Sequence, residues 1–329
     1  MTITVLGAGA WGTALALRLA SHASVVLWTR SAEHAQSMQQ LRENQRYLPG
    51  HVLSPGLTPS ANLAEAIQPA DLLIVAVPSN GFRALAQTLG ALHVVTPLIW
   101  LCKGLETGSQ KLPHAVLAET WPNHPSAAVL SGPSFAQEVA HGLPAALTVA
   151  SPDAEFARSV ARQLHDAKLR LYASTDVIGV ELGGAVKNVI AIAAGISDGL
   201  GFGLNARAAL LTRGLVELTR LGLKMGGKPE TFMGLSGMGD LILTCTGDLS
   251  RNRQLGLRLA AGESLEGALR QLGHVAEGAT TAIEVERLAR DLGVEMPITE
   301  AVAQILRQEL PPREAVAALL ARDLKDESS

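Results

Sequence analysis

Gly7-Ala8-Gly9-Ala10-Trp11-Gly12 decides the fold. Before it stands a short β-branched, apolar run, Ile3-Thr4-Val5-Leu6. After it, Trp11–Ser21 carries a helical apolar period. A G-x-G-x-x-G between a strand and a helix has a physical meaning that a lone match lacks. Gly7 permits the tight turn, Gly9 lets a pyrophosphate approach the backbone, and Gly12 lets helix and strand pack closely. Ala10 and Trp11 stand at the helix entry, where unpaired N–H groups and the helix dipole favour a doubly charged anion.

The same alternation continues outward. Strand candidates are Ile3–Leu6, Ser24–Trp28, Asp71–Val77, Leu98–Cys102, Ala127–Leu130, Ala145–Ala150 and Leu169–Tyr172. Helical runs lie between them at Trp11–Ser21, Ala32–Glu43, Gly81–Leu89, Lys111–Glu119 and Asp153–His165. Unbroken apolar strands such as Leu72–Val77 suit a parallel sheet covered on both faces. Beyond Asp176 the strand signal stops and the chain reads as helices to Ala321, punctuated by Pro229, Pro297, Pro311 and Pro312. The expected architecture is α/β. A Rossmann-type, doubly wound dinucleotide-binding sheet spans residues 1–182. An all-α domain for substrate binding and catalysis spans residues 183–329. The boundary is expected near Glu181–Gly184, inside one long helix, and the tail Lys325–Ser329 is expected to fray.

Bulk composition agrees. With 47% hydrophobic and 17% charged residues, the chain has material for a large core, and its net charge of −3 offers no basic stripe for nucleic acid. Cys102 and Cys245 are far apart and read as reduced thiols; nine scattered histidines and no HExxH argue against a metal site. No leader is expected, because Met1-Thr2 runs directly into the strand candidate Ile3–Leu6. The most apolar run, Val189–Ile196, is too short to span a bilayer. A soluble, cytoplasmic protein is expected.

The tip of the second strand reads Trp28-Thr29-Arg30-Ser31. An NAD site usually offers an acid there, bonded to the ribose 2′-hydroxyl. Arg30 suits a 2′-phosphate instead, so NADP(H) is the expected preference, with NAD(H) also admitted. The plainer alternative is a surface arginine and no preference. Further along, Ser79 follows Pro78 as a helix cap or a cofactor contact, and Lys103 stands past Ile99–Cys102, placed to hold a phosphate or polarise a carbonyl. Ser131-Gly132-Pro133-Ser134-Phe135-Ala136 looks like a second helix entry, with Ser131 or Ser134 as its cap.

Lys187-Asn188 interrupts Gly183–Gly195, a helix apolar nearly all round and so expected to be buried. A buried lysine has a depressed pKa and is fitted to exchange a proton with a carbonyl or hydroxyl oxygen. Asp240 and Thr244 lie four apart on one helix face, and Asp240 is a candidate partner for Lys187. Ser250, Arg251 and Asn252, at a helix start, form either a phosphate clamp or a basic solvated turn.

Taken together these segments resemble the bacterial glycerol-3-phosphate dehydrogenase family. The match includes Gly7–Leu15, Lys103–Glu106, Ser131–Ala136, Glu181–Gly195, Asn205–Arg207, Gly237–Cys245, Ser250–Arg253 and Val275–Gly278. The resemblance implies a Rossmann domain followed by a helical one. It implies hydride transfer between NAD(P)H and dihydroxyacetone phosphate, giving sn-glycerol 3-phosphate for phospholipid synthesis. Lys187 matches the family's proton donor and acceptor. Lys103, Gly132, Ser134, Asp240, Ser250, Arg251 and Asn252 match substrate positions. Lys103, Arg251, Trp11, Arg30, Ala136, Val275 and Glu277 match cofactor positions, and Tyr47 is a weaker candidate. No metal is implied, and oligomeric state is not legible, a homodimer being one arrangement left open. Rival readings are another two-domain reductase acting on a keto or β-hydroxy acid, and a non-catalytic NADP(H)-binding sensor.

Overall fold

The computed structural model describes residues 1–273 and 277–321. Val275 and the tail Lys325–Ser329 lie outside the described residues. The strands are β1 (Thr2–Leu6), β2 (Ser24–Trp28), β3 (Glu43–Asn44), β4 (Leu48–Val52), β5 (Leu57–Ser60), β6 (Leu72–Val75), β7 (Leu98–Trp100), β8 (Ala127–Ser131), β9 (Ala145–Ala150) and β10 (Leu169–Ser174). The helices of the first half are α1 (Ala10–Leu19), α2 (Ala32–Leu41), α3 (Leu63–Ile67), α4 (Ser79–Ala91), α5 (Pro113–Thr120), α6 (Ala136–Ala140) and α7 (Ala154–Leu164). Then follow α8 (Val177–Gly199), α9 (Gly203–Lys224), α10 (Pro229–Phe232), a π-helical turn at Leu235–Gly239, α11 (Asp240–Thr246) and α12 (Arg251–Ala260). The chain ends with α13 (Leu265–Leu272), α14 (Glu277–Leu292), α15 (Pro297–Leu306) and α16 (Pro312–Leu320).

Eight strands form one sheet in the order β10-β9-β8-β7-β6-β1-β2-β5. Strand alternation feeds both faces. Ile3, Val5, Leu72, Ile74 and Ile99 pack on one side with Leu15 and Leu19 of α1 and Val160 of α7. Leu6, Leu73, Val75, Leu98 and Trp100 pack on the other with Phe82 of α4 and Val116 of α5. Each such side chain, fully buried, contributes about 1.5–3 kcal/mol. The chain leaves β1 toward β2 and β5, then returns to β6 on its other side. A crevice therefore opens beyond the carboxyl ends of β1 and β6, where doubly wound sheets bind ligands.

Two departures from the expected sheet have local causes. β9 runs antiparallel to β8, although the other pairings in this sheet are parallel. The connection between them holds only the five-residue α6, so the chain turns back beside β8. β5 escaped notice because Pro59 argues against a strand; it sits at the sheet edge, paired only with β2, where proline is tolerated.

The helix α8 runs through residues 177–199 and contains the anticipated boundary at Glu181–Gly184. By length and composition it would suffice to cross a membrane, more than the shorter run Val189–Ile196 suggested. Its most apolar window is 89% buried inside the protein. Close approach explains its glycines. A Cβ on Gly183 would stand 2.2 Å from the Ser236 carbonyl oxygen, and one on Gly195 2.0 Å from that of Arg253. Glu181, also on α8, is a buried carboxylate that accepts from Trp100 Nε1 and the His114 amide, both at 2.9 Å, and from His114 Nδ1. It ties α8 to β7 and to the start of α5.

Candidate active site

The glycine loop has the shape its spacing foretold. A Cβ on Gly7, whose φ is +129°, would lie 2.6 Å from the Ala76 carbonyl oxygen; one on Gly12 would lie 2.1 Å from that of Gly7. A Cβ on Gly9 would meet nothing within 4 Å, so a cradle stands open above it. Gly9 is the N-cap of α1 and no side chain caps the helix, which leaves the first amides, including Ala10 and Trp11, for a ligand. These residues fit a dinucleotide diphosphate. Arg30 is exposed beyond the end of β2, and no described residue pairs with it. Tyr47 is half-buried, its ring tilted against that of His34 at 5.3 Å with the Arg46 guanidinium above it.

Across the crevice, Lys187 on α8 is 6% exposed and Asp240, the first residue of α11, is 1% exposed. Lys187 Nζ donates to Asp240 Oδ1 and, at 3.0 Å, to Thr244 Oγ1. Lys103 reaches in from beyond β7, its Nζ donating to Asp240 Oδ2 at 2.8 Å and to the Gly132 carbonyl at 3.2 Å. One carboxylate thus holds a lysine on each oxygen. The Thr244 hydroxyl donates back to the Asp240 carbonyl at 2.6 Å, so its oxygen is turned to accept from Lys187. Burial pulls the Lys187 ammonium down to about 8; the Asp240 charge opposes the fall and the Lys103 charge adds to it. Such a lysine changes protonation state near neutral pH, as a group that both gives and takes a proton must. Two cations on one anion leave a net positive charge, suited to an anionic substrate.

The flanking positions are less uniform. Glu277 opens α14; burial raises its pKa against the charges of Arg251, Lys103 and Lys187. Arg251 begins α12 and is exposed. Ser250 serves as the α12 cap, accepting from the Arg253 amide at 3.3 Å. Asn252 Oδ1 accepts from the Gly278 amide at 3.2 Å, which directs its remaining donors elsewhere. Neither Ser131 nor Ser134 caps α6, contrary to expectation. Ser134 Oγ donates to the Gly132 carbonyl at 3.0 Å, and Ser131 Oγ is buried with no hydrogen-bond partner. Ala136 is the first residue of α6. Ser79 does not cap α4 either; it begins that helix beside Gly104, where a Cβ would meet Ser79 Oγ at 2.9 Å and Thr281 Oγ1 at 3.0 Å. Sequence reasoning missed Thr281, which is buried on α14, because one threonine in an amphipathic helix carries no signal. A cavity of about 590 Å³ among α8, α9, α15 and α16 contains none of the lysine–aspartate cluster. Among the described residues no His, Cys, Asp and Glu cluster could hold a metal.

A doubly wound sheet with an open glycine cradle, facing a buried lysine of lowered pKa, defines the class as the nicotinamide-dependent dehydrogenases. Residues 2–157 match the N-terminal part, and residues 176–317 the C-terminal part, of the NAD-dependent glycerol-3-phosphate dehydrogenases. The chain belongs to that family and is an oxidoreductase. It is 59% identical over 309 residues to a glycerol-3-phosphate dehydrogenase [NAD(P)+] of Nitrosospira multiformis, covering 93% of each chain. The crystal structure of a Coxiella burnetii glycerol-3-phosphate dehydrogenase superposes with a TM-score of 0.94 at 43% identity, covering 98% of this chain and 99% of that one. A ketopantoate reductase from Ralstonia eutropha, 18% identical with a TM-score of 0.61, covering 96% of this chain and all of that one, shares the fold alone.

Proposed function

We propose that the chain interconverts dihydroxyacetone phosphate and sn-glycerol 3-phosphate, with Lys187 as the proton donor and acceptor. The observation that carries this reading is the carboxylate of Asp240 shared between Lys187 and Lys103. A nicotinamide, when bound, supplies hydride exchange at the carbon that bears the reacting oxygen. The chain's own residues do the rest. Lys187 gives its proton to the ketone oxygen in reduction and recovers it from the hydroxyl in oxidation. Asp240 and Thr244 fix the direction of its Nζ. Lys103 and the Gly132–Ser134 loop bound the substrate on the sheet side. Arg251 and the free donors of Asn252 lie at the start of α12, where a phosphate finds both a guanidinium and helix amides.

Preference for NADP(H) is part of the proposal, supported by the exposed, unpaired Arg30 where an acid would favour NAD(H). The product would serve as phospholipid backbone. A cytoplasmic location is proposed on the two free, buried thiols Cys102 and Cys245.

The test is NADPH oxidation by the purified protein with dihydroxyacetone phosphate, beside NADH and a no-substrate control. Rapid turnover that requires the phosphate supports the reading. Turnover only with an unphosphorylated keto acid would replace it with the related-reductase reading. Cofactor binding without turnover on any ketone would leave a sensor.

A further inference from the structure

Behind the glycine loop runs a buried chain of hydrogen bonds that the reaction does not use. Its centre is Asn44 on β3, 1% exposed. Asn44 Nδ2 donates to the Ala8 carbonyl at 2.9 Å and to Thr13 Oγ1 at 2.7 Å. Ala8 lies between Gly7 and Gly9, so the bond grips the diphosphate loop itself. Asn44 Oδ1 accepts from the Tyr47 amide at 3.3 Å and faces His34 Nε2 at 2.9 Å. Both donors and both lone pairs of the amide are used.

This arrangement fixes the histidine. A carbonyl only accepts, so Asn44 must turn its Nδ2 toward Ala8 and its Oδ1 toward His34. Nε2 of His34 therefore carries hydrogen. In the neutral ring Nδ1 then accepts from Thr29 Oγ1, which stands 3.3 Å away. Thr29 follows the last residue of β2 and immediately precedes Arg30, and its oxygen also takes the Ser31 amide at 3.5 Å. His34 and Thr29 are each 8% exposed. The chain thus runs from the diphosphate loop to the turn that carries Arg30, through buried groups.

The segment bearing Asn44 is itself anchored. β3 and β4 form a short antiparallel hairpin. Leu48 buries against Ala14 of α1 and Val139 of α6. Arg42, before β3, donates from Nη2 to the carbonyls of Leu53, Ser54 and Leu57.

We propose that Asn44 and His34 are positioning residues for the dinucleotide, setting the distance between its diphosphate site and its adenosine-ribose site. Asn44 holds the loop; His34 carries that constraint to Thr29 and Arg30. The proposal rests on the reading that the cofactor binds at Gly9 and Arg30. It assigns the two residues separable effects. Loss of the Asn44 donors loosens the loop and weakens NADPH and NADH alike. Loss of the His34–Thr29 link frees the Arg30 turn and weakens NADPH more than NADH.

The test titrates NADPH and NADH into the purified protein by nicotinamide fluorescence, with thermal unfolding as a check on the fold and kcat at saturating cofactor. Asn44→Asp keeps the shape but sets a carboxylate oxygen against the Ala8 carbonyl. It should raise both dissociation constants about tenfold, the scale of one lost buried hydrogen bond, with kcat little changed. His34→Gln retains an amide donor near the Nε2 position and lacks the Nδ1 acceptor. It should leave NADH binding near wild type and lower the preference for NADPH. If Asn44→Asp does not fold, His34→Gln and Asn44→Ser carry the test, Asn44→Ser with the same expected loss for both cofactors. Wild-type affinities in folded variants would overturn the proposal. Failure of the wild-type protein to bind either cofactor would instead overturn the reading beneath it.

Discussion

Lys187 and Asp240 form an ion pair that solvent scarcely reaches, with side chains 7% and 1% exposed. Breaking a buried pair by deleting one partner commonly costs about 3–5 kcal/mol, because the other charge stays behind. Here the second oxygen of Asp240 already holds Lys103, so the carboxylate keeps a cation if Lys187 is removed. Lys187→Ala should therefore fold. Its turnover should fall by about 10²–10⁴, the usual share of a general acid–base group, with NADPH affinity unchanged. Steady-state kinetics beside a fluorescence titration read both, and undiminished turnover would remove Lys187 from the chemistry.

The lowered Lys187 pKa sets the pH response. In the proposed role of Lys187, ketone reduction draws on the ammonium, so its kcat should decline as pH rises through about 8. Alcohol oxidation needs the free amine and should rise over the same interval. Asp240→Asn removes the charge that opposes the fall, and the reduction limb should then move to lower pH. Stability follows the same group. Its folded pKa, about 8, lies below the ordinary 10.5, so the unfolded chain holds more protons between these values and stability from this residue increases with pH there. Profiles of kcat in both directions check the kinetic claim; limbs that rise or fall together would contradict it.

Arg30 stands alone beyond β2, where a carboxylate would take up a ribose hydroxyl and repel a phosphate. Arg30→Asp should lower kcat/KM with NADPH relative to NADH while leaving kcat with NADH near its starting value. The ratio of kcat/KM for the two cofactors is the measurement, and an unaltered ratio would deny Arg30 its assignment.

His114 responds to pH through Glu181. Burial alone would lower its pKa, but the hydrogen bond and charge of Glu181 outweigh that and leave it raised above 6.5. A raised base contributes stability that is full below about 6.5 and is lost as pH climbs through the folded value. Urea unfolding across that interval should show wild-type stability declining with pH. In His114→Ala that slope should flatten.

Residues 1–12 were legible because strand, glycine spacing and helix follow in one short segment and each constrains the next. Lys187 was legible for the opposite reason: it is a charge in a stretch that leaves it no surface to reach. Asp240 and Thr244 declared themselves through four-residue spacing. Other features depend on contacts that the sequence does not write locally. The π-helical turn at Leu235–Gly239 overlaps the start of the helix expected over Gly237–Thr246 and gave no sign of itself, since its signature is a bond from the Gly239 amide to the Gly234 carbonyl, one residue beyond the α register. The β3–β4 hairpin has strands of two and five residues, with Pro49 and Gly50 in one of them. Ser131 and Ser134 had the composition of helix caps, but the helix after them begins too late for either to reach its amides.

Six residues separate Glu181 from Lys187 on α8, an axial distance of about 9 Å and a rotation of about 600°, since each residue advances 1.5 Å and 100°. At one end the helix is pinned to β7 through Trp100; at the other it presents the ammonium to Asp240. The interval therefore works as a ruler with a phase. Inserting one residue between the two positions would swing Lys187 by about 100° and bury it against the wrong neighbour, and two full turns would restore its heading but displace it by about 11 Å. The length of this segment is set by that ruler, as Gly183 within it is set by its approach to the Ser236 carbonyl.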